Sequence, residues 1–261
     1  MMKKILLVVL LSALLSHTGV FAQVRDAFSG ILPVTDPQMM QSLNGVWMLD
    51  GKEIPVPGCW EAYGFSKPSY DKADDLVKEY TTTFTVPQKW QGHCIALRFD
   101  GVLYGYDLYV NGQEAGSWRS GYNTAVFDIT PVVDWTKERQ ELSLRVMTRF
   151  RGSDFDYNDD WAPCGIFRDV TLMAVPKVHL SDVTITTKNN GEVKVNTVVS
   201  GGNGKVRYTV TDSYGRIVAT GKGLSTTLLV DNPKLWTAET PSLYTLTTTL
   251  QANGQKQVHR E

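Results

Sequence analysis

Two short stretches of this chain gather side chains that can do chemistry with polar ligands. One follows Trp60 and holds Tyr70, Asp71, Lys72, Asp74 and Asp75. The other runs from Arg149 through Arg151, Asp154, Asp156, Tyr157, Asn158, Asp159 and Asp160 to Trp161. Carboxylates accept hydrogen bonds from hydroxyl groups, and aromatic rings pack on the C–H face of a pyranose, so this mixture is what carbohydrate recognition needs. The same residues also describe a solvated acidic loop, and composition alone leaves both readings open. Asp154, Asp156 and Asn158 further fill the first, third and fifth positions of a calcium loop. Asp159 then stands where that loop requires glycine, and Gly165 where it requires a bidentate glutamate. No metal site is expected from this pattern.

Other reactive groups are scattered. Of four histidines, His17 lies near the amino terminus and His93, His179 and His259 are far apart. No HExxH, phosphate-binding glycine loop or GxSxG is present, which removes the usual support for metalloprotease, nucleotide-hydrolase and esterase chemistry. Cys59, Cys94 and Cys164 are odd in number and lack CxxC spacing. Buried free thiols are expected, with Cys59 and Cys164 the pair to test for a bridge. The chain has 26 Lys and Arg against 27 Asp and Glu, a net charge of -1. Such a balance offers no electrostatic footprint for nucleic acid or an anionic membrane.

The elements that must position the two loops read as strands. Tyr80, Phe84 and Val86 alternate with Thr81, Thr83 and Thr85; Ile95, Leu97 and Phe99 alternate next, and then Leu142, Leu144 and Val146. Asn111-Gly112 is the residue pair that a type I′ hairpin prefers, because both central positions need positive φ; Asn190-Gly191 and Asn253-Gly254 repeat it. No segment of ten or more residues carries a 3.6-residue period. The expected fold is all-β, its sheets closed or sandwiched to hide their edges. A boundary is expected near Pro176 to Leu180. Before it lies an aromatic-rich region with long loops, suited to a jelly-roll-like sandwich over residues 23–177. After it, short Thr- and Val-rich strands every 8 to 12 residues suggest an immunoglobulin-like sandwich over residues 178–261.

The amino terminus reads as an address. Lys3 and Lys4 precede an apolar run from Ile5 to Leu15, too short for a bilayer span of about 20 helical residues and of signal-peptide length. Residues 1–22 are expected to be a signal peptide, with cleavage after Val20-Phe21-Ala22 and a mature start near Gln23. Export to the periplasm or the extracellular space follows, with no membrane span.

Several segments resemble a known family. WAPCGIFRDVTL (Trp161 to Leu172) is similar to the segment that closes the sugar-binding domain of glycoside hydrolase family 2, whose usual form is a Trp followed shortly by GIxRDVxL. LNGVW (Leu43 to Trp47), VPGCWE (Val56 to Glu61), RFDGV (Arg98 to Val102), LYVNG (Leu108 to Gly112) and FDIT (Phe127 to Thr130) resemble that domain's other landmarks, in order. DNPKLWTAETPSLYTL (Asp231 to Leu246) resembles the end of the family's immunoglobulin-like domain. The likeness runs from residue 40 to 261 and is nearest to bacterial β-galactosidases.

The resemblance implies a jelly roll, an immunoglobulin-like domain and, outside this sequence, a catalytic (β/α)8 barrel. The family hydrolyses glycosides with retention, using two Glu about 5 Å apart on that barrel. No residue of this chain is expected to be catalytic, and no cofactor is implied. The resemblance makes Asp159, two residues before the closing Trp, a sugar-binding carboxylate, with Asp160 and Trp161 beside it. The partner implied is a β-galactoside-like carbohydrate. Tyr70, Asp71 and Lys72 stand where several β-galactosidases carry Tyr-Thr-Asn, which leaves glucuronides, mannosides and other β-linked sugars open. A free-standing carbohydrate-binding module and a structural surface protein are the alternatives to a non-catalytic portion of an exported glycosidase.

Overall fold

The computed structural model describes residues 31, 32, 34, 36–70, 74–157 and 161–261. The expected leader and its cleavage site lie outside them, as do Asp71, Lys72, Asn158, Asp159 and Asp160. Among the described residues the chain is all-β, as the alternation requires, and its helical turns are short 3-10 segments such as Trp60–Tyr63 and Ser153–Phe155.

Strands up to Val175 build two facing antiparallel sheets and a small two-stranded one that pairs Val102–Leu103 with Gly165–Ile166. Of the two large sheets, one holds six strands in the order Lys52–Val56, Gly45–Leu49, Val77–Phe84, Gln140–Met147, Gly105–Val110 and Gln113–Arg119. The other holds Met40–Ser42, Val170–Val175, Cys94–Phe99 and Ala125–Asp128. Neighbours are often distant in sequence, as where Leu144 pairs with Tyr80 and Leu172 with Leu97. The core forms because alternate residues of each sheet turn inward. Trp47, Tyr80, Leu108 and Leu144 of the six-stranded sheet meet Leu97, Phe99, Phe127 and Leu172 of the other, all buried. Thr81 and Thr83 take the solvent face of their strand, as the sequence predicts.

The four-stranded sheet departs from simple alternation. Ala96, Met173 and Val175 point away from the core and are nevertheless buried, because Ile31 and Val34 cover that outer face. A strand buried on both sides tolerates an apolar run such as Val170–Val175.

From His179 onward a second pair of sheets follows. A three-stranded sheet, His179–Thr187, Glu192–Ser200 and Ser225–Leu229, faces a four-stranded one ordered Ile217–Lys222, Lys205–Thr211, Thr245–Ala252 and Gln255–Arg260. Leu180, Val195 and Leu228 pack there against Val206, Tyr208, Val210 and Leu250. Two of the three Asn-Gly hairpins take the expected form, with φ of 52° and 75° at Asn111 and Gly112 and 50° and 75° at Asn253 and Gly254. At Asn190-Gly191 only Gly191 is left-handed (φ 88°). Lys188 N–H donates to Glu192 O and Gly191 N–H to Lys188 O, so the hairpin closes through a longer loop than a two-residue I′ turn.

Candidate functional site

The two acidic, aromatic loops meet at one end of the first sandwich, and the residue that joins them is Thr148. It is fully buried at the end of the Gln140–Met147 strand. Its N–H donates to Leu76 O (3.0 Å), while its Oγ1 accepts from Leu76 N–H (2.9 Å) and donates to the Asp74 carbonyl. Tyr157 anchors the second loop from beneath. Its hydroxyl donates to Thr148 O, and its ring lies 4.2 Å, centroid to centroid, from that of the buried Tyr104. Asp156 is used structurally, its Oδ2 accepting from Gly121 N–H at 3.1 Å. Arg149 reaches Asp154 at 3.5 Å, an exposed pair that contributes little to stability. Of the partial calcium-loop set, Asp156 is therefore committed to backbone and Asp154 to a guanidinium.

On this base stand two aromatic rings. Trp161 is 67% exposed and Tyr70 49%, and they meet edge to face at 5.4 Å. An exposed Trp costs apolar surface, yet here it is held beside a second ring, a geometry that can present a flat face to a sugar's C–H groups. Asp159 and Asp160, expected beside Trp161, fall outside the described residues.

Behind Trp161 the chain is fastened to the segment around Trp60. Gly58 N–H donates to Ile166 O (2.7 Å) and Trp60 N–H to Cys164 O (2.9 Å). Trp60 Nε1 donates to Tyr80 Oη at 2.8 Å, and Ile166 N–H reaches the same oxygen at 3.3 Å. Gly165 makes the approach possible: it has φ of 108°, and a Cβ there would lie 2.6 Å from Tyr80 Oη and 2.8 Å from a Trp60 ring carbon. Burial pushes the Tyr80 phenol up, so it stays protonated.

Glu61 closes this clamp. Its Oε2 accepts from Cys164 N–H (3.0 Å) and its Oε1 from Ser66 Oγ (2.6 Å). All three cysteines are free thiols, so Cys59 and Cys164 form no bridge. Burial, and next the Glu61 carboxylate, push the Cys164 thiol up; burial does the same for Cys59 and Cys94. Thiols held neutral in this way are poor nucleophiles. Arg168 and Asp169 of the GIFRDV segment serve the frame as well. Asn44 Nδ2 donates to Asp169 Oδ1 at 2.8 Å, and the Arg168 guanidinium lies 4.8 Å from the Phe167 ring centroid.

Sequence reasoning missed Thr148 and Glu61. Neither carries a local signal of its bridging role, since the backbone groups that Thr148 Oγ1 and Glu61 Oε2 bind lie 72 to 74 and 103 residues away.

Comparison with known proteins identifies the family. The family model described as glycosyl hydrolases family 2, sugar binding domain, matches residues 38–176, and a second, glycosyl hydrolases family 2, matches residues 178–261. Among curated relatives, the β-galactosidase large subunit of Leuconostoc lactis is 30% identical over 72% of this chain and 34% of its own length. A β-galactosidase of Enterobacter cloacae is 29% identical over 80% of this chain and 26% of its own. The chain thus spans a quarter to a third of such relatives. Among solved structures, β-glucuronidase from Ruminococcus gnavus superposes with a TM-score of 0.72 at 20% identity, covering 90% of this chain and 46% of that one. The Lactobacillus rhamnosus β-glucuronidase gives 0.71 at 23%, covering 88% and 45%. At such identities these two likenesses concern the fold.

Proposed function

This chain belongs to glycosyl hydrolase family 2, and from that premise we propose that it is the non-catalytic, sugar-contacting portion of an exported glycosidase acting on β-linked sugars, with β-galactosides the first class to test. The observation that carries the reading is the exposed Trp161, held edge-on to Tyr70 where the two acidic loops converge. In this reading Trp161 offers a ring to the apolar face of the sugar. Asp159 and Asp160 accept hydrogen bonds from its hydroxyls and move no proton in the reaction. The curated relatives named as β-galactosidases favour that sugar, while Lys72, where the resemblance implies an Asn in several β-galactosidases, favours a broader test.

The reacting pair is assigned to polypeptide outside these 261 residues. A retaining glycosidase needs a nucleophile and an acid/base carboxyl about 5 Å apart. Glu61, in the clamp behind Trp161, is spent on Cys164 N–H and Ser66. Residues 1–22 direct export, to the periplasm or beyond, and are removed; residues 23–177 act as the sugar-binding unit and 178–261 as its immunoglobulin-like support.

Calorimetric titration with galactose, lactose and glucuronic acid tests the site. We expect heat with at least one, weakened at least about tenfold, or 1.4 kcal/mol, by Trp161→Ala and by Asp159→Ala. Thermal stability should change little, because Trp161 is exposed. Absence of heat with every sugar, or binding untouched by either substitution, overturns the assignment. Hydrolysis of nitrophenyl glycosides by the pure chain, lost on replacing one of its own Glu, overturns the non-catalytic reading. Amino-terminal sequencing of exported protein should begin near Gln23; retention of Met1 overturns the leader.

A further inference from the structure

The two sandwiches touch sparingly. Among the described residues no strand of one makes an extended contact with a strand of the other. Their direct link in sequence is the short Pro176–Val178 connection, where His179 Nδ1 lies 3.1 Å from the carbonyls of both Pro176 and Lys177. Across the seam, Gln255 Nε2 and His93 Nε2 approach at 3.4 Å. Two domains joined this lightly are expected to move against each other.

One other piece of chain bridges them. Ile31 and Val34, 6% and 7% exposed, pack on Ala96, Met173 and Val175, on the outer face of the first sandwich. Leu32, between them in sequence, packs instead against the second core, and its N–H donates to Leu180 O at 3.4 Å. The far end of the segment is pinned as well. Asp36 Oδ1 accepts from Gln38 N–H at 2.9 Å to cap the Pro37–Met39 turn, after which Met40–Ser42 pairs with Val170–Val175. Adjacent side chains thus insert into different domains. These residues precede both family-matched regions, which begin at residues 38 and 178.

We propose that Ile31, Leu32 and Val34 form a strap that locks the angle between the two sandwiches, making Leu32 a positioning residue for the Tyr70–Trp161 face relative to the second sandwich. The strap does not depend on what that face binds. Two anchors on one sandwich and one on the other make a lever: with Leu32 withdrawn, the 176–178 connection and the His93–Gln255 contact still join the sandwiches among the described residues. Either sandwich keeps its own core, because Leu32 lies at the margin of the second.

The test is Leu32→Asp in the full chain, with Leu32→Met as the conservative control. The parent and Leu32→Met should melt in one calorimetric transition with the same small-angle scattering profile. Leu32→Asp should split the transition in two and increase the radius of gyration. It should also speed amide exchange in peptides spanning residues 176–181 at least about tenfold, while the strands of each sandwich keep their protection. Should Leu32→Asp lower protection throughout the second sandwich, Ile31→Asp with Val34→Asp releases the other end of the strap and must give the same enlarged scattering. Unchanged scattering and a single transition in both variants overturn the proposal, as does destabilisation of one sandwich with the angle retained.

Discussion

Replacing Thr148 by valine removes one oxygen and leaves the shape almost intact, so it isolates the bond that joins the two loops. Thr148 is fully buried, and its Oγ1 accepts from Leu76 N–H and donates to the Asp74 carbonyl. Valine leaves both groups without that partner. Asp74 is exposed and its carbonyl can turn to water, but Leu76 is half-buried and its N–H lies against the new methyl group. An unsatisfied buried polar group costs about 1–3 kcal/mol, which puts the expected loss near 2 kcal/mol. For a unit of this size that is a fall of about 4–8 °C in the melting temperature of the first sandwich. Urea unfolding followed by tryptophan fluorescence measures the free energy, and amide exchange at Leu76 reports the bond itself. Thr148→Ser should restore both, while Thr83→Val, on the solvent face of the Val77–Phe84 strand, should be neutral. If Thr148→Val unfolds within about 0.5 kcal/mol of the parent, the scatter of ordinary surface substitutions, Thr148 does not hold the loops and the account of the site fails at its base.

Two further outcomes follow from the clamp behind Trp161. Gly165→Ala should cost more than about 3 kcal/mol or prevent folding, because the methyl group would enter the space of Tyr80 Oη and the Trp60 ring at a φ of 108°; a variant that melts with the parent refutes the close approach. The Cys164 thiol is raised in the folded protein, first by burial and then by Glu61. Its contribution to stability is therefore complete below the unfolded thiol pKa of about 8.5 and is lost as pH rises above it, at up to about 1.4 kcal/mol per pH unit. Unfolding free energies between pH 7 and 10 should fall more steeply for the parent than for Cys164→Ala, and parallel curves would contradict the burial of that thiol.

The particular elements show how far a linear reading reaches. The strand around Tyr80 and its Thr face, the Asn111-Gly112 and Asn253-Gly254 turns and the absence of long helical periods are local facts, set by side-chain alternation and by which residues accept positive φ. The GIFRDV segment carried the family likeness, yet Arg168 and Asp169 serve the framework. Asn190-Gly191 carried the same two letters as its counterparts and closed differently, because a two-residue signal does not set the length of the loop around it. Glu61 accepts from a backbone N–H 103 residues away at 3.0 Å, a contact that no local pattern marks.

What the amino-acid order determined alone is the all-β class, the positions of most strands and the two loops rich in carboxylates and rings, since each rests on a period or turn preference a few residues long. What only the tertiary structure decided is that those loops meet, that Thr148 and Glu61 hold them, and that Leu32 reaches into a different domain from its neighbours. Such contacts join residues tens to more than a hundred positions apart. They exist because two sheets had to close over a common core, and no local pattern records which distant partner a buried polar atom will find.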